Sequence, residues 1–397
     1  MDDSFDAFEI KPTSSIIEHF NNHPTCIDKE FNFILQKTEL RSIEQNSDKF
    51  KSALAPKNRI KNRYSNVLPF EDTRVVISAD DDYDDQSDDY EDTNGNGINN
   101  STDSIDNINS NSNNSNSNLN TNKDDDEKRN SIGSIGQSDV LSNSSDEDHD
   151  SDDEDSTKGD YINASFVCNK NYICTQGPLL NTIYDFWKMT WEQESNVIVM
   201  LTKEEENQKQ KCDKYWPDSG EERYGSFIVR IENDLVIPDV LIRRQFTLEN
   251  IKLNKSRTIY HFQYTSWPDH GTPQSTTNFL KFIGFVDNVK RTGPFIVHCS
   301  AGIGRSGTFC VIHSVATNFF KHYEEKKQAP SINLPKLIVE MRNERPGMVQ
   351  TRDQYRFCYL AISETMLSGI RKDRKRKGLS YSYSGIPVTE NINNPFT

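Results

Sequence analysis

A cysteine and an arginine six positions apart, Cys299 and Arg305, are the residues of this 397-residue chain best suited to chemistry on a phosphate. A thiol among backbone amides, a helix N-terminus and a guanidinium has its charged form favoured, so we expect Cys299 to be a thiolate nucleophile. The planar guanidinium of Arg305 grips two oxygens of a phosphate and follows the charge as the phosphoryl group is transferred. We expect Ser306 to stabilise the thiolate as a leaving group, and His298 to fix the loop through a backbone contact.

The segment around these residues predicts a phosphate-binding turn. It follows an apolar, β-branched run, Pro294 to Val297, and precedes a helical pattern from Thr308 to Phe320. Backbone amides at such a turn, together with the positive end of the helix, favour a bound dianion. Three glycines allow sharp bending and a close approach to the ligand: Gly302, Gly304 and Gly307. The alternative is a buried core cysteine beside a Gly-rich turn, the usual role of a lone cysteine.

The run from Val297 to Phe309 resembles the phosphate-binding loop of the protein tyrosine phosphatases, the tyrosine-specific branch of the Cys-x5-Arg phosphatases. The resemblance implies in-line attack by Cys299 and a metal-free, cofactor-free hydrolysis of phosphotyrosine through a phosphocysteine intermediate, in intracellular signalling. The phosphate would lie against Arg305 and the loop residues between, namely Ser300, Ala301, Gly302, Ile303 and Gly304.

The turn Trp267-Pro268-Asp269 resembles the family's mobile acid loop. A phenolate leaving group has a conjugate-acid pKa of about 10, so protonation by Asp269 is expected to contribute roughly 10²–10⁴-fold. Asp269 then takes a proton from the water that hydrolyses the phosphocysteine, while Trp267 supports the loop. By itself such a turn is a weak signal, common in ordinary loops.

The segment Lys57 to Val75 resembles the family's phosphotyrosine-recognition loop. On that resemblance Tyr64 forms a wall of the pocket and makes the cleft deep enough to prefer phosphotyrosine over phosphoserine. Asn66 stands where several members have an Asp that accepts from the substrate backbone; an amide still accepts that bond but lacks the charge. The alternative is a solvated turn with one aromatic among basic residues.

Two further segments resemble family landmarks: Glu206 together with Lys211 to Pro217, and Arg345 to Phe357. In the first, Glu206 orients the phosphate-binding arginine and Lys211 meets the acid loop; the alternative for Lys211 is a charged hairpin tip. In the second, the glutamine loop, Gln350 positions the hydrolytic water, Gln354 supports it, and Gly347 leaves the pocket mouth open. The alternative for Gln354 is a surface helix amide.

The resemblance implies one α/β domain, a highly twisted mixed β-sheet flanked by helices, over residues 28–365. Residues 1–27 precede it and a basic, flexible tail, 366–397, follows. The pattern from Ile27 to Ile43 predicts an amphipathic helix that caps the domain. Antiparallel strands are predicted at Tyr224 to Ile231, Asp239 to Leu253 and Ser256 to Ser266.

Residues 79–158 are predicted to be a disordered insertion between two strands of the domain. They carry 24 acidic and 4 basic residues, a net charge of −20, whereas the rest of the chain carries +5 and the whole chain −15. The low isoelectric point of the chain, about 5.1, therefore reflects this segment and not the folded domain. Two interpretations stay open: an inert spacer, or electrostatic regulation through repulsion of anionic substrates and phosphorylation at Ser144, Ser145 and Ser151.

Seven scattered cysteines without metal-ligand spacing indicate a reducing compartment and no metal site. With no apolar run long enough for a bilayer, we expect a cytoplasmic monomer that acts on phosphotyrosine proteins and does not bind nucleic acid. The basic block Arg371 to Lys377 is interpreted as a nuclear import signal, a contact for anionic lipid, a partner of the acidic insertion, or a solvated tail.

Two other functions fit parts of the pattern. A phosphotyrosine-binding module without turnover is disfavoured because Cys299, Asp269, Arg305 and Gln350 are all present. A dual-specificity phosphatase is disfavoured by Tyr64.

Overall fold

The computed structural model describes Phe5 and residues 26–39, 43–79, 159–268, 271–327 and 330–376, with only the backbone for residues 44 and 370–376. The strands are β1 Arg74–Val76, β2 Tyr161–Val167, β3 Tyr172–Thr175, β4 Val197–Met200, β5 Glu205–Glu206, β6 Lys209–Gln210, β7 Glu221–Tyr224, β8 Phe227–Ile237, β9 Leu241–Asn250, β10 Lys255–Gln263 and β11 Phe295–His298. The α-helices are α1 Cys26–Lys37, α2 Lys51–Leu54, α3 Pro56–Arg59, α4 Ile183–Glu192, α5 Thr276–Asp287, α6 Gly304–Lys326, α7 Leu334–Glu344 and α8 Arg352–Arg376. The segments Ile43–Phe50 and Leu180–Thr182 are 3₁₀ helices.

Strand β11, which ends immediately before Cys299, lies in the middle of a nine-stranded sheet of order β1-β2-β3-β11-β4-β10-β9-β8-β7. It pairs in parallel with β3 and β4, and β4 pairs in parallel with β10. The remaining pairs in this sheet are antiparallel. Ligands of such sheets bind beyond the carboxyl ends of the parallel strands, which is where the cysteine loop begins.

Alternate residues of β11 enter two different cores, as the period-2 geometry of a strand requires. Phe295 and Val297 pack into the core that contains α5, α6, α7 and α8. Ile296 packs into the opposite core with α4. Because helices cover both faces, the strand is fully buried, and its residues before His298 are apolar. The mixed α/β fold with helices around one large sheet confirms the expected fold class.

The predicted insertion separates two strands that are neighbours in the sheet. Arg74 pairs with Ser165 and Val76 with Tyr161, in antiparallel register. The Ile77 N–H donates to the Asp160 carbonyl at 3.2 Å, close to both ends of the insertion. Residues 80–158 themselves lie outside the described residues.

Several predicted boundaries were wrong. Helix α6 begins at Gly304 instead of Thr308 and continues to Lys326, so its first turn lies inside the cysteine motif. Helix α1 ends at Lys37 instead of Ile43, and Ile43 begins a 3₁₀ helix. The three antiparallel strands β8, β9 and β10 form as predicted, with shifted ends. None of the helices in the described part of the chain is long and apolar enough to span a membrane.

Candidate active site

The loop between β11 and α6 wraps around the sulfur of Cys299, which is buried. The Gly302 N–H donates to Cys299 Sγ at 3.3 Å. Gly302 has a φ of +71°, and a Cβ there would lie 2.1 Å from the Thr175 carbonyl oxygen, so only glycine fits. The helix that follows directs its N-terminus at the same loop, which supplies the positive end of a helix dipole beside the sulfur.

The carbonyl groups of this loop are held on its outer side by Arg345, a completely buried arginine. Its guanidinium donates to the carbonyls of Ala301 at 3.1 Å and Gly302 at 2.9 Å, and to the side chains of Asn163 and Ser165. Because these carbonyls face Arg345, the amides of the loop are free to face the sulfur side. Sequence reasoning gave Arg345 no role, although it stands directly before Pro346 in the glutamine-loop segment.

Arg305 is held by Glu206, a buried carboxylate, through two hydrogen bonds. The two terminal guanidinium nitrogens of Arg305 donate to Glu206 Oε1 at 2.6 Å and Oε2 at 2.8 Å. The same nitrogens also donate to the carbonyls of Leu201 and Pro268. Burial alone would raise the pKa of Glu206, but the hydrogen bonds and charge of Arg305, with those from Lys203 N–H and the Thr202 hydroxyl, lower it to about 2. The Glu206 carboxylate is therefore ionised at neutral pH.

Tyr64 lies at the edge of the cysteine loop, because its hydroxyl forms a 2.8 Å hydrogen bond with Ser300 Oγ. Its neighbour Arg63 anchors the recognition segment: the guanidinium donates to the carbonyls of Gly177 and Pro178 and pairs with Asp213. Asn66 is exposed and Lys211 half-buried. Lys211 donates its backbone N–H to the Glu204 carbonyl, within the same segment as Glu206.

The predicted acid, Asp269, lies outside the described residues, but both flanks of its loop are described. Pro268 offers its carbonyl to Arg305 at 3.2 Å, and the Trp267 indole N–H donates to the Gly271 carbonyl at 3.2 Å. The indole ring also lies under the Arg305 guanidinium, 5.8 Å from ring centre to Cζ. Trp267 and Arg305 therefore connect the predicted acid loop to the cysteine loop.

Comparison with known proteins adds independent observations. The family model described as protein-tyrosine phosphatase matches residues 137–364, more than half of the chain. Tyrosine-protein phosphatase 2 of Dictyostelium discoideum is 71% identical over 392 residues, which cover 98% of this chain and 99% of that protein. The chain belongs to the protein-tyrosine phosphatase family. The expected family and enzyme class, hydrolysis of phosphotyrosine, are thus confirmed.

Two more distant relatives align with this phosphatase over about half of its length. Rat tyrosine-protein phosphatase non-receptor type 20 is 41% identical over 215 residues, 52% of this chain and 49% of that protein. Chicken receptor-type tyrosine-protein phosphatase S is 40% identical over 213 residues, 52% of this chain but 14% of that protein. The match to the family model begins at residue 137, after the recognition segment that contains Tyr64. The position of Tyr64 beside the cysteine loop therefore rests on its hydrogen bond with Ser300.

The glutamine segment of the phosphatase lies over the first turn of α6. A Cβ at Gly304 would be 3.1 Å from Gln350 Oε1 and 3.0 Å from Gln354 Nε2. Gln354 is buried and accepts from the backbone N–H of Gln350 at 2.9 Å, so it is not a surface amide. Gly347 has a φ of +77°, and a Cβ there would meet the Ile303 side chain at 3.1 Å.

Behind the loop of the phosphatase, His298 belongs to a buried hydrogen-bonded chain. Its Nδ1 lies 3.4 Å from the Cys299 carbonyl, and its Nε2 is 2.8 Å from the Tyr215 hydroxyl. Tyr215 also contacts His261 Nε2 at 2.9 Å, and His261 Nδ1 lies 3.4 Å from the Arg244 guanidinium. Burial lowers the pKa of His298 to about 4 and that of His261 well below its ordinary value. Sequence reasoning missed Tyr215, His261 and Arg244.

Ser306 Oγ is buried without a hydrogen-bond partner among the described residues. It sits in the first turn of α6, directly after Arg305. Buried hydroxyl groups nearly always have a hydrogen-bond partner, so an unpartnered one needs an explanation. The Ser306 hydroxyl is available to donate to a charge that is present only during a reaction.

Proposed function

We propose that this phosphatase works by two displacements at phosphorus. In the first, the Cys299 thiolate attacks the phosphate of a phosphotyrosine; the S–P bond forms, the bond from phosphorus to the tyrosine oxygen breaks, and Asp269 donates a proton to that oxygen. In the second, water attacks the phosphocysteine while Asp269 takes its proton. The S–P bond then breaks, and phosphate and the thiolate are released.

One observation carries this proposal: the buried Cys299 sulfur shares a loop with an arginine that a carboxylate already holds in place. A prealigned guanidinium and loop amides stabilise charge that develops on the phosphoryl oxygens without reorganisation during the reaction. His298 holds the loop through its contact with the Cys299 carbonyl. Ser306 is assigned to stabilise the Cys299 thiolate as it leaves phosphorus in the second step.

Arg305 meets the phosphate with the edge formed by Nε and one terminal nitrogen. Both N–H groups of each terminal nitrogen are used by Glu206, Leu201 and Pro268, and Nε has no partner among the described residues. A two-point grip therefore takes Nε together with the N–H that donates to Pro268 at 3.2 Å. Binding of phosphate then changes a contact of the acid loop.

The substrate pocket is assigned to Tyr64 on one wall and the loop residues Ser300 to Gly304 on the floor. The hydrogen bond between Tyr64 and Ser300 fixes the ring beside that floor, which favours a long aromatic phosphoester. Asn66 accepts from the substrate backbone and Lys211 meets the acid loop. Gln350 positions the water of the second step, supported by Gln354.

We assign catalysis to residues 28–365 interrupted by the insertion 79–158, in a cytoplasmic monomer. Helix α1 supports the inclusion of the residues after 28, because Phe31 and Ile34 join the core with α7 and α8. Nuclear import through Arg371 to Lys377 is a separate proposal.

Hydrolysis of p-nitrophenyl phosphate and of phosphotyrosine peptides tests the assignment. Cys299→Ser is expected to abolish both activities, whereas Cys168→Ser, at a half-buried cysteine in the turn directly after β2, is expected to retain them. Asp269→Ala is expected to lower turnover about 10²–10⁴-fold and to capture phosphotyrosine proteins. Full activity of Cys299→Ser, or equal rates on phosphothreonine peptides, would contradict the assignment.

A further inference from the structure

Val349, the residue directly before Gln350, has an unusual backbone conformation. Its φ is +56°, in the left-handed region, and its side chain is completely buried. A β-branched residue in this region is a genuine outlier, and such a conformation costs of order 1–3 kcal/mol unless its surroundings enforce it. Something near Val349 therefore holds this backbone in place.

The peptide groups around Val349 are held from two sides. The Val349 N–H donates to the Ile303 carbonyl, in the cysteine loop, at 3.2 Å. On the other side, Arg342 donates from Nε to the Met348 carbonyl and from a terminal nitrogen to the Val349 carbonyl, both at 2.8 Å. The backbone also lies tightly against α6, because a Cβ at Gly307 would be 2.4 Å from the Val349 nitrogen.

Arg342 is a buried arginine whose hydrogen-bond partners are three neutral oxygens. Besides the two carbonyls, it donates to Thr38 Oγ1 at 3.0 Å, just after the end of α1, and it lies against the Phe31 ring. Burial lowers the pKa of Arg342 to about 10, so it is still charged at neutral pH. A buried arginine with neutral partners is costly, and here two of those partners are consecutive carbonyls that lead into Gln350.

We infer that Arg342 is a positioning residue for the hydrolysis of phosphocysteine: its guanidinium holds the Met348 and Val349 carbonyls, fixes the left-handed turn, and so aims Gln350 at the cysteine loop. This inference rests on the proposed function of Cys299 and Gln350. Attack by Cys299 does not use Gln350, so Arg342 acts on the second displacement and leaves the first unaffected.

Arg342→Lys and Arg342→Gln test the inference in the full-length chain. A lysine retains the charge but replaces the planar fork by one ammonium, and a glutamine retains one donor nitrogen without burying a charge. Arg352→Lys is the matched control, since Arg352 follows Gln350 by two residues but its side chain is half-exposed and pairs with Asp28. Rapid-quench kinetics with a ³²P-labelled phosphotyrosine peptide measure phosphocysteine formation and its hydrolysis separately.

In both Arg342 variants we expect hydrolysis to fall about 10- to 100-fold, with phosphocysteine formation within about threefold of the unmodified protein, so that phosphocysteine accumulates. Arg352→Lys is expected to leave both rates unchanged. Unchanged rates in both Arg342 variants, or a parallel loss of both steps, would overturn the inference. Absence of any phosphocysteine in the unmodified protein would instead refute the proposed function.

Discussion

At the scale of single residues, the site depends on how Arg305 divides its hydrogen bonds. Glu206 binds both terminal nitrogens, which leaves one edge of the guanidinium for phosphate. Glu206 is thereby expected to set the direction of that edge without contacting the substrate. A carboxylate is needed because both of its oxygens must accept.

Glu206→Gln tests this division of labour. The amide oxygen accepts from one Arg305 nitrogen, but the amide N–H₂ points at the other, so the two donors repel and the guanidinium turns. Because a displacement of about 1 Å at a catalytic group costs on the order of 100-fold, we expect kcat/KM on a phosphotyrosine peptide to fall by about that factor.

Glu205→Gln is the matched control, since Glu205 is the exposed neighbour on the same short strand. It is expected to leave kcat/KM within about twofold, as surface substitutions usually do. A Glu206→Gln variant with the activity of the control would show that Arg305 is aligned by its carbonyl contacts alone.

Residues that act within a short motif could be predicted from the sequence, whereas residues that hold the motif from outside could not. Cys299 and Arg305 have types and spacing that predict phosphate chemistry. Arg345 and Arg342 each donate to two backbone carbonyls, 43 residues away in the case of Gly302. Every residue, proline included, has such a carbonyl as an interchangeable acceptor, so the sequence contains no mark of the partner.

At the scale of elements, a chain of hydrogen bonds links strands β9, β10 and β11 to the catalytic loop. Its direction follows from Arg244, which can only donate, so His261 Nδ1 accepts and His261 Nε2–H donates to Tyr215. Tyr215 O–H then donates to His298 Nε2, and His298 Nδ1–H donates to the Cys299 carbonyl. Every member has a partner only when both histidines are neutral.

This requirement predicts a stability that falls in acid. The pKa of His298 is about 4 in the folded protein against an ordinary value of 6.5, because burial disfavours the charged form. Between these values the unfolded chain binds a proton that the folded chain does not, so stability is lost as pH falls from 6.5 towards 4. We expect a loss of up to about 3 kcal/mol from this group.

Urea unfolding at a series of pH values from 8 to 4 measures the effect. A His298→Gln variant removes the titrating group and is expected to lose less stability over this range than the unmodified protein. His322→Gln, on the later part of α6, is the histidine control and is expected to follow the unmodified curve. Parallel curves for His298→Gln and the unmodified protein would contradict the assigned neutral state.

The start of α6 shows why element boundaries were harder to predict than element types. Local propensity disfavours a helix through Gly304 and Gly307, so the pattern predicted a start at Thr308. Tertiary packing decides otherwise: a Cβ at Gly304 would meet Gln350 and Gln354, and one at Gly307 would meet the Val349 nitrogen at 2.4 Å. The glycines are therefore part of the helix, where they allow the glutamine segment to approach.

At the scale of the whole molecule, the acidic insertion joins two strands that already pair with each other. β1 and β2 are antiparallel neighbours, and Arg74 further links their ends through hydrogen bonds to Glu71 and Asp160. A short turn would complete the same hairpin. The composition of residues 79–158 predicts a flexible loop, whose closure costs entropy without contributing a core.

Replacing residues 80–158 by a four-residue Gly/Ser turn is therefore expected to stabilise the domain. Closure entropy grows with the logarithm of loop length, about 0.6 kcal/mol per doubling, so the shorter loop gains about 2 to 3 kcal/mol. Urea unfolding of the full-length chain and of the deletion variant at high salt measures the difference, since salt screens the charge of the insertion.

The sign of this difference in unfolding free energy distinguishes an insertion that only closes the loop from one that also stabilises the domain through contacts. A gain near the entropic value means that the segment acts on the domain only as a tether, and any effect on activity must then act through its charge of −20. A loss of stability would mean that the segment contributes contacts to the domain that exceed its closure cost. Because Arg74, Glu71 and Asp160 remain in both proteins, the ends of β1 and β2 are the same in the two measurements, and the comparison isolates the insertion itself.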